Sequence, residues 1–321
     1  MSSGPHIHSG ASDRRIMLDV ILALLPAAVA GVILFGIPAL WVILTCVLSA
    51  VISEFLFNLI ARKKQSVGDL SAVVTGLLLA LNLSVNVPLW QAALGTVFAI
   101  VLVKCVFGGI GRNFANPAIT GRVFLLVAFP STVAGGALPK GIDAASSATP
   151  LDLIGVEGAE LPTLLQMFLG QRGGAIGETC ILALLIGFAY LLLRKVIRWE
   201  IPVIFVGTVF LLSLIFGGFN TAVYEVLAGG LVLGAVFMAT DYTTTPITAR
   251  ARMLFALGCG LITFAIRWFC ALPEGVSYSI LLMNIACPLI EKATAPTYFG
   301  FVKKKKEKKS KEEKAEGGAK A

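Results

Sequence analysis

Charge is scarce in this chain. Asp, Glu, Lys and Arg make up 14% of its 321 residues, against roughly 25% in a soluble domain. Histidine is nearly absent. His6 and His8, both in a polar N-terminal stretch, are the only two, too few for an imidazole metal centre or a histidine acid–base pair. The six cysteines, Cys46, Cys105, Cys180, Cys259, Cys270 and Cys287, are scattered in or beside apolar runs, and none forms a CxxC pair. That argues against cluster, zinc or disulfide ligation and leaves them as core or lipid-facing residues. A GxGxxG–acid dinucleotide unit is also missing. No catalytic residue and no metal site is therefore expected.

What the chain has is hydrocarbon. Its residues are 57% hydrophobic, with a mean hydropathy of +0.89. Apolar runs near 20 residues recur without strand-like alternation, and a bilayer admits only helices or closed barrels. The expected fold is an all-α polytopic membrane protein. Runs can be drawn at about 17–35, 39–60, 69–84, 87–107, 116–133, 177–195, 201–217, 222–239, 252–271 and 276–293, which makes about ten spans. The first run, from Ile16, is long enough to span, and no cleavable leader is expected. The third is short and ends among Asn82, Asn86 and Pro88, as a broken or re-entrant segment does.

The net charge of +8 follows this topology and does not suggest nucleic-acid binding. Arg14-Arg15, Arg62-Lys63-Lys64, Lys104 with Arg112, Arg194-Lys195 with Arg198, Arg250 with Arg252, and the tail from Lys303 fall before the first span or after even-numbered ones. Loops after spans 1, 3, 7 and 9 contain no Lys or Arg. The positive-inside rule then puts both termini in the cytoplasm. The expected organisation is a cytoplasmic segment 1–15, a first bundle 16–133, an external loop 134–176, a second bundle 177–293 and a Lys/Glu-rich tail 294–321. The tail is a solvated segment whose basic part can meet anionic lipid. A short echo between Asn116-Pro117-Ala118-Ile119-Thr120 with Arg122 and Thr245-Pro246-Ile247-Thr248 with Arg250 suggests a parallel duplication of spans 3–5 and 7–9.

A loop as long as 134–176 is usually functional or disordered. It holds Asp143-Ala144-Ala145-Ser146-Ser147-Ala148-Thr149-Pro150, bounded by Gly135-Gly136 and Gly173-Gly174, with a partly apolar stretch from Leu153 to Leu169 that suits an interfacial helix. Small residues give access to the Thr149 hydroxyl, and an acid nearby can help hold a divalent ion against a phosphate. From residues alone, this is either an ordinary Ser/Thr loop or a phosphoester attachment site. Arg112, Asn113, Asn116 and Arg122 beside Gly108, Gly109 and Gly111 read either as contacts to an anion or reduced flavin, or as cytoplasmic anchoring and capping of span 5. Gly173, Gly174 and Glu178 read either as a close approach to a flavin ring or as a helix N-cap. Glu54 lies well inside span 2, and an acid at that depth is a functional suspect. Asp19, Asp69, Glu225 and Asp241 lie near span ends.

The pattern Asp143-x-x-Ser146-Ser147-Ala148-Thr149 resembles the motif that an ApbE-type flavin transferase modifies with FMN, with Ser147 at a position usually held by Gly. Ser3–Ile7, Arg15–Ile21, Gly109–Ala118, Gly173–Thr179, Met238–Asp241 with Pro246, and Pro273–Tyr278 are similar to the D-subunit family of Rnf complexes. This resemblance covers nearly residues 1–300. It extends to the B subunits of Na⁺-translocating NADH:quinone reductases, which carry a longer N-terminal region. It implies FMN esterified to Thr149 on the external side of a cell (inner) membrane, with Asp143, Ser146, Ser147 and Ala148 as the attachment motif. It implies electron flow between ferredoxin and NAD coupled to Na⁺ or H⁺ movement. Partner subunits of C, G, A, E and B type would carry the iron–sulfur centres and the NAD site. The related reductase also holds non-covalent riboflavin, which makes Arg112, Asn113, Asn116 and Arg122 a candidate lining. Two alternatives stay open: a quinone-reductase B-type subunit, and a solute or ion channel without a redox centre.

Overall fold

The computed structural model describes residues 12–140, 149–154, 161–270 and 274–295. Helix α1 (Asp13–Phe35) starts at Ser12, whose hydroxyl accepts from the Arg15 N–H, and stops at Gly36. Gly36 has φ 78°, a backbone region that costs a side chain dearly, and Pro38 then opens α2 (Ile37–Ile60). Next come α3 (Ser71–Leu81), α4 (Leu89–Phe98), which continues as π-helical turns over Ala99–Cys105, α5 (Pro117–Ala128) and the single turn α6 (Pro130–Val133). The loop carries two short helices, α7 (Pro150–Leu153) and α8 (Leu164–Leu169). The second half is α9 (Ile181–Leu193), α10 (Glu200–Leu227), α11 (Leu231–Leu233), which continues as π-helical turns over Gly234–Met238, α12 (Ala249–Phe269) and α13 (Val276–Thr294).

The chain is an all-α polytopic membrane protein. Helices α1, α2, α10, α12 and α13 are long and apolar enough to cross a bilayer, and α3, α4, α5 and α9 are shorter apolar helices. Among the described residues the only strand-like contact is one antiparallel bridge, Ala137 with Gly174.

Each of the ten apolar runs carries helix, but among the described residues only five helices are long and apolar enough to cross alone, and two runs depart most from a single span. Helix α3 has 11 residues, about 16 Å at 1.5 Å per residue, half of a ~30 Å hydrocarbon layer. Almost every residue of it is buried. The run expected at 222–239 is also divided. Its first part is the end of α10, which kinks at Gly218 (φ 79°, ψ 176°) instead of turning. That part stays at the loop end, where the Tyr224 hydroxyl donates to the Pro162 carbonyl at 2.8 Å. Only Leu231–Met238 enters the core, and all of it is buried. Among the described residues of the stretch expected to form an interfacial helix, helix is found at the end of α7 and in α8, six residues opened by a Thr163–Gln166 capping box.

The two halves form an inverted pair, a correction to the parallel duplication suggested by the echo. Helix α1 packs antiparallel on α9. Near the start of α1, Asp19 accepts from Tyr190 (3.0 Å) and Arg194 (3.2 Å). Further along, Gly31 lies against Ile176, just before α9. The start of α3 (Ser71) and the end of the Leu231–Met238 segment (Thr240, Asp241) line one cavity, so these half-helices also run oppositely. Gly76 precedes Pro88 by the same interval as Gly234 precedes Pro246.

Buried ion pairs follow the same inversion. At the end carrying the α1 N-terminus, here the basic end, Glu54 of α2 meets Lys104 at the close of α4 at 2.9 Å, both sealed from the surface. At the opposite, loop end, Glu225 of α10 meets Arg267 of α12 at 2.7 Å, again buried. Ser66 and Ser71 complete the first pair by hydrogen bonds to Glu54 and from Lys104. Glu54 is thus a paired structural acid, which resolves its unusual depth.

The α1–α9 contact yields a test. A Cβ on Gly187 would sit 2.2 Å from the Ala23 carbonyl oxygen, whereas one on Gly207 would meet nothing within 4 Å. Backbone cannot yield as a side chain tip can, so Gly187→Ala is expected to destabilise by roughly 1–3 kcal/mol. Gly207→Ala should be neutral or slightly stabilising. Thermal unfolding of the two variants in detergent checks this; equal midpoints would contradict the packing.

Candidate functional site

The loop end is assembled by glycines. Ala137 and Gly174 exchange two backbone hydrogen bonds at 3.1 Å, bringing together the glycine pairs that bound the long loop. Thr149 packs on this junction. A Cβ on Gly136 would stand 2.8 Å from the Thr149 methyl carbon and 3.0 Å from the Gly174 nitrogen. Thr149 is half-buried and α7 begins at the next residue, Pro150. Asp143, Ser146, Ser147 and Ala148 lie outside the described residues.

Charged side chains gather beneath this junction. Glu178 is buried, its Oε1 accepting from the Ala175 N–H at 3.0 Å. It would crowd any Cβ on Gly174. Arg172, 2% exposed, donates to the Glu178 carbonyl at 2.6 Å and the Thr179 carbonyl at 3.4 Å. Arg267 donates to the carbonyl and the carboxylate of Glu225, both at 2.7 Å. Arg122 donates to Asn82 at the end of α3 and to Glu274 just before α13. Asn82 in turn donates to the Leu78 carbonyl at 2.8 Å and lies 3.3 Å from the Met238 sulfur. The Met238 carbonyl accepts from Asn116 at 3.2 Å. A polar line thus runs from the loop to the junction of the two half-helices.

The four residues expected to form one lining do not. Asn113 and Asn116 border a cavity of about 70 Å³ at the basic end, partly open to the surface, with Ser71, Lys104, Thr240 and Asp241. Asn113 presents a buried Oδ1 without a partner. Burial pushes the Asp241 carboxyl up, against the lowering effect of hydrogen bonds from Thr243 and Thr244. Arg122 lies a full turn deeper and belongs to the loop-end network. Arg112 is at the surface against Gly108. The separation has a simple cause: Asn116 caps α5, accepting from the N–H groups of Ala118 and Ile119, so Arg122 points from deeper in the same helix. Gly173, Gly174 and Glu178, by contrast, are brought to the Thr149 junction. Of the remaining acids, Asp69 accepts from the Ser71 N–H at the start of α3, and Asp19 and Glu225 are ion-paired.

Sequence reasoning passed over Arg172, Arg267 and Lys104 as partners. A signal existed: Arg172 and Arg267 break the charge pattern, standing in or beside runs at the end otherwise poor in basic residues. Such residues need buried acids. Among the described residues no group of three or more His, Cys, Asp or Glu could hold a metal ion.

Residues 1–300 match the model of the NQR2, RnfD, RnfE family. The chain belongs to this family. It is 46% identical over 314 residues to the D subunit of the Na⁺-translocating ferredoxin:NAD⁺ oxidoreductase complex of Acetobacterium woodii, covering 97% of this chain and 98% of that protein. The proton-translocating counterpart from Clostridium ljungdahlii is 43% identical over 318 residues, covering 94% and 96%. The D subunit of the ion-translocating oxidoreductase complex of Stutzerimonas stutzeri is 37% identical over 328 residues, covering 90% and 93%. In this NQR2, RnfD, RnfE family member, Arg122 ties the end of α3 to the residue just before α13.

Arg122→Met should therefore cost about 1–3 kcal/mol, because it leaves the buried Asn82 side chain and the partly exposed Glu274 without their donor. Arg122→Met combined with Glu274→Gln should recover much of that loss. Unfolding midpoints of both variants against the parent decide it; a double variant as unstable as the single one would show that Arg122 acts elsewhere.

Proposed function

We propose that this chain is an electron-relay subunit of a multi-subunit, ion-translocating ferredoxin:NAD oxidoreductase, carrying FMN esterified to Thr149. Near full-length similarity to the D subunits of three such complexes supports the assembly and its chemistry. The observation that carries the flavin assignment is the position of Thr149 on a glycine-built junction, above buried arginines with unused donors. An ester phosphate needs a hydroxyl with small neighbours and hydrogen-bond donors within reach, and the residues present fit that group.

Attachment forms one bond and breaks one. The Thr149 oxygen takes the phosphorus of an activated flavin phosphoanhydride. The other phosphate leaves with the bridging oxygen, and the hydroxyl proton passes to the transferase or solvent. Bound FMN supplies a carrier that accepts and releases electrons singly or in pairs. The chain's own part is to tether it and to hold the junction rigid against α9 and α12. Concentration of exposed basic residues at the opposite end supports a cytoplasmic basic end and an external Thr149. A second, non-covalent flavin such as riboflavin would have to widen the cavity bordered by Asn113 and Asn116, where Asn113 has an acceptor to spare.

Purified protein co-expressed with a flavin transferase, then denatured and run on a gel, should fluoresce as flavin. Thr149→Val should abolish that signal. Fluorescence that survives the substitution would move the attachment elsewhere; a dark parent band despite an active transferase would remove covalent FMN altogether. Solvent extraction of the same preparation should release riboflavin if the second cavity is filled.

A further inference from the structure

Arginines beneath the Thr149 junction have more donors than acceptors. Arg172 is 2% exposed and its Nη1 has no hydrogen-bond partner. Arg267, with a side chain 1% exposed, has neither Nε nor Nη2 partnered. A buried, unsatisfied polar group costs about 1–3 kcal/mol, more when charged, so native proteins leave few of them without a reason. Glu178 and Glu225 balance these two cations in formal charge. Three unused donor groups, Arg172 Nη1 and Arg267 Nε and Nη2, face one unused acceptor, Glu178 Oε2, so the cluster is short of acceptors and not of countercharge.

Both guanidinium groups lie under the segment that starts at Thr149. Arg267 Nη2 and the Leu151 side chain flank Gly229, 3.1 and 2.5 Å from where a Cβ on that glycine would stand. Gly229 has φ 64° and no side chain to close the gap. On the other side, Arg172 holds the carbonyl of Glu178, whose carboxylate abuts Gly174, and Gly174 abuts the Gly136–Thr149 contact. Glu178 Oε2 and Gly230 bring the two sides together, at 3.3 Å from the position of a Cβ there. Burial lowers the Arg172 pKa, and Arg267 adds to that by like-charge repulsion while Glu178 opposes it. An acceptor placed between the two arginines would relieve both effects.

We propose that Arg172 and Arg267 form the seat for the phosphodiester of a Thr149-linked FMN, their spare guanidinium nitrogens donating to its two non-bridging oxygens. This rests on the covalent reading of Thr149 and adds the residues that would immobilise the tether. Arginine suits the task because its planar fork matches phosphate geometry and stays charged when buried.

The experiment uses flavin-loaded protein in a phosphorus-free detergent and follows the ³¹P resonance of the ester, native and denatured. Gel fluorescence of the denatured parent comes first; if the parent carries no covalent flavin, the attachment reading fails and the seat fails with it. In loaded protein, Arg172→Gln should move the native resonance most of the way to its denatured position and lower the native flavin fluorescence anisotropy. Arg172 hydrogen-bonds only backbone carbonyls but is the countercharge of buried Glu178, so this change is paired with Glu178→Gln. Arg267→Gln is paired with Glu225→Gln for the same reason, and should act alike. Arg172→Lys, which keeps charge but not the fork, should give a smaller shift. Arg194→Gln at the basic end should leave the resonance unchanged. A native ³¹P resonance unmoved in both arginine variants, with flavin still attached, would overturn the seat.

Discussion

Two helices that end inside the membrane set the terms for everything else. Helix α3 and the Leu231–Met238 segment are each too short to cross alone, and the last turn of a helix leaves carbonyls that hydrocarbon cannot satisfy. The N–H groups of Gly177 and Ile176 answer this at the end of α3, donating to the Leu81 and Leu83 carbonyls at 2.8 and 3.0 Å, while Asn82 donates to that of Leu78 and is itself held by Arg122. Asn116 answers it on the other half-helix by donating to the Met238 carbonyl. The two half-helices lie side by side in opposite senses, Gly230 beside Asn82 and Asp241 near Ser71, so one polar network can serve both.

The same constraint explains the closed pairing of charge. Glu54 with Lys104, and Glu225 with Arg267, tie the end of the second helix to the end of the fourth in each half. Each is a buried pair whose loss would strand a charge, which costs far more than such a pair contributes in net stability. Glu54 and Lys104 are saturated, whereas Arg267 keeps unused donors, as does Arg172, and these lie near where Thr149 comes down on its glycine bed.

Much of this was legible from residue chemistry. Apolar runs without alternation gave the helices, and the spacing of basic residues gave their order. The brevity of the third run, with Asn82 at its close, announced a half-helix. Its counterpart was hidden, because the apolar run at 222–239 is continuous in composition; only the Gly218 kink and the Ala228–Gly230 break divide it. The expected cluster of Arg112, Asn113, Asn116 and Arg122 was misleading for a geometric reason. Neighbours in sequence at a helix start are spread over more than a turn, and so face different compartments of the core. Arg172 and Arg267 were passed over because their partners come from distant helices, and nothing local in the sequence pairs them. Thr149 came from the likeness of a short motif; the structure adds the glycine junction and the charged floor under it.

A membrane chain that carries a flavin on one threonine is what the proposed relay requires. Tandem mass spectrometry of the loop peptide from transferase-matured protein tests this most directly. Esterification at Thr149 predicts a peptide heavier by one FMN less one water, with fragment ions that assign the added mass to that residue. An unmodified peptide from matured protein, or an added mass assigned to Ser146 or Ser147, would contradict it.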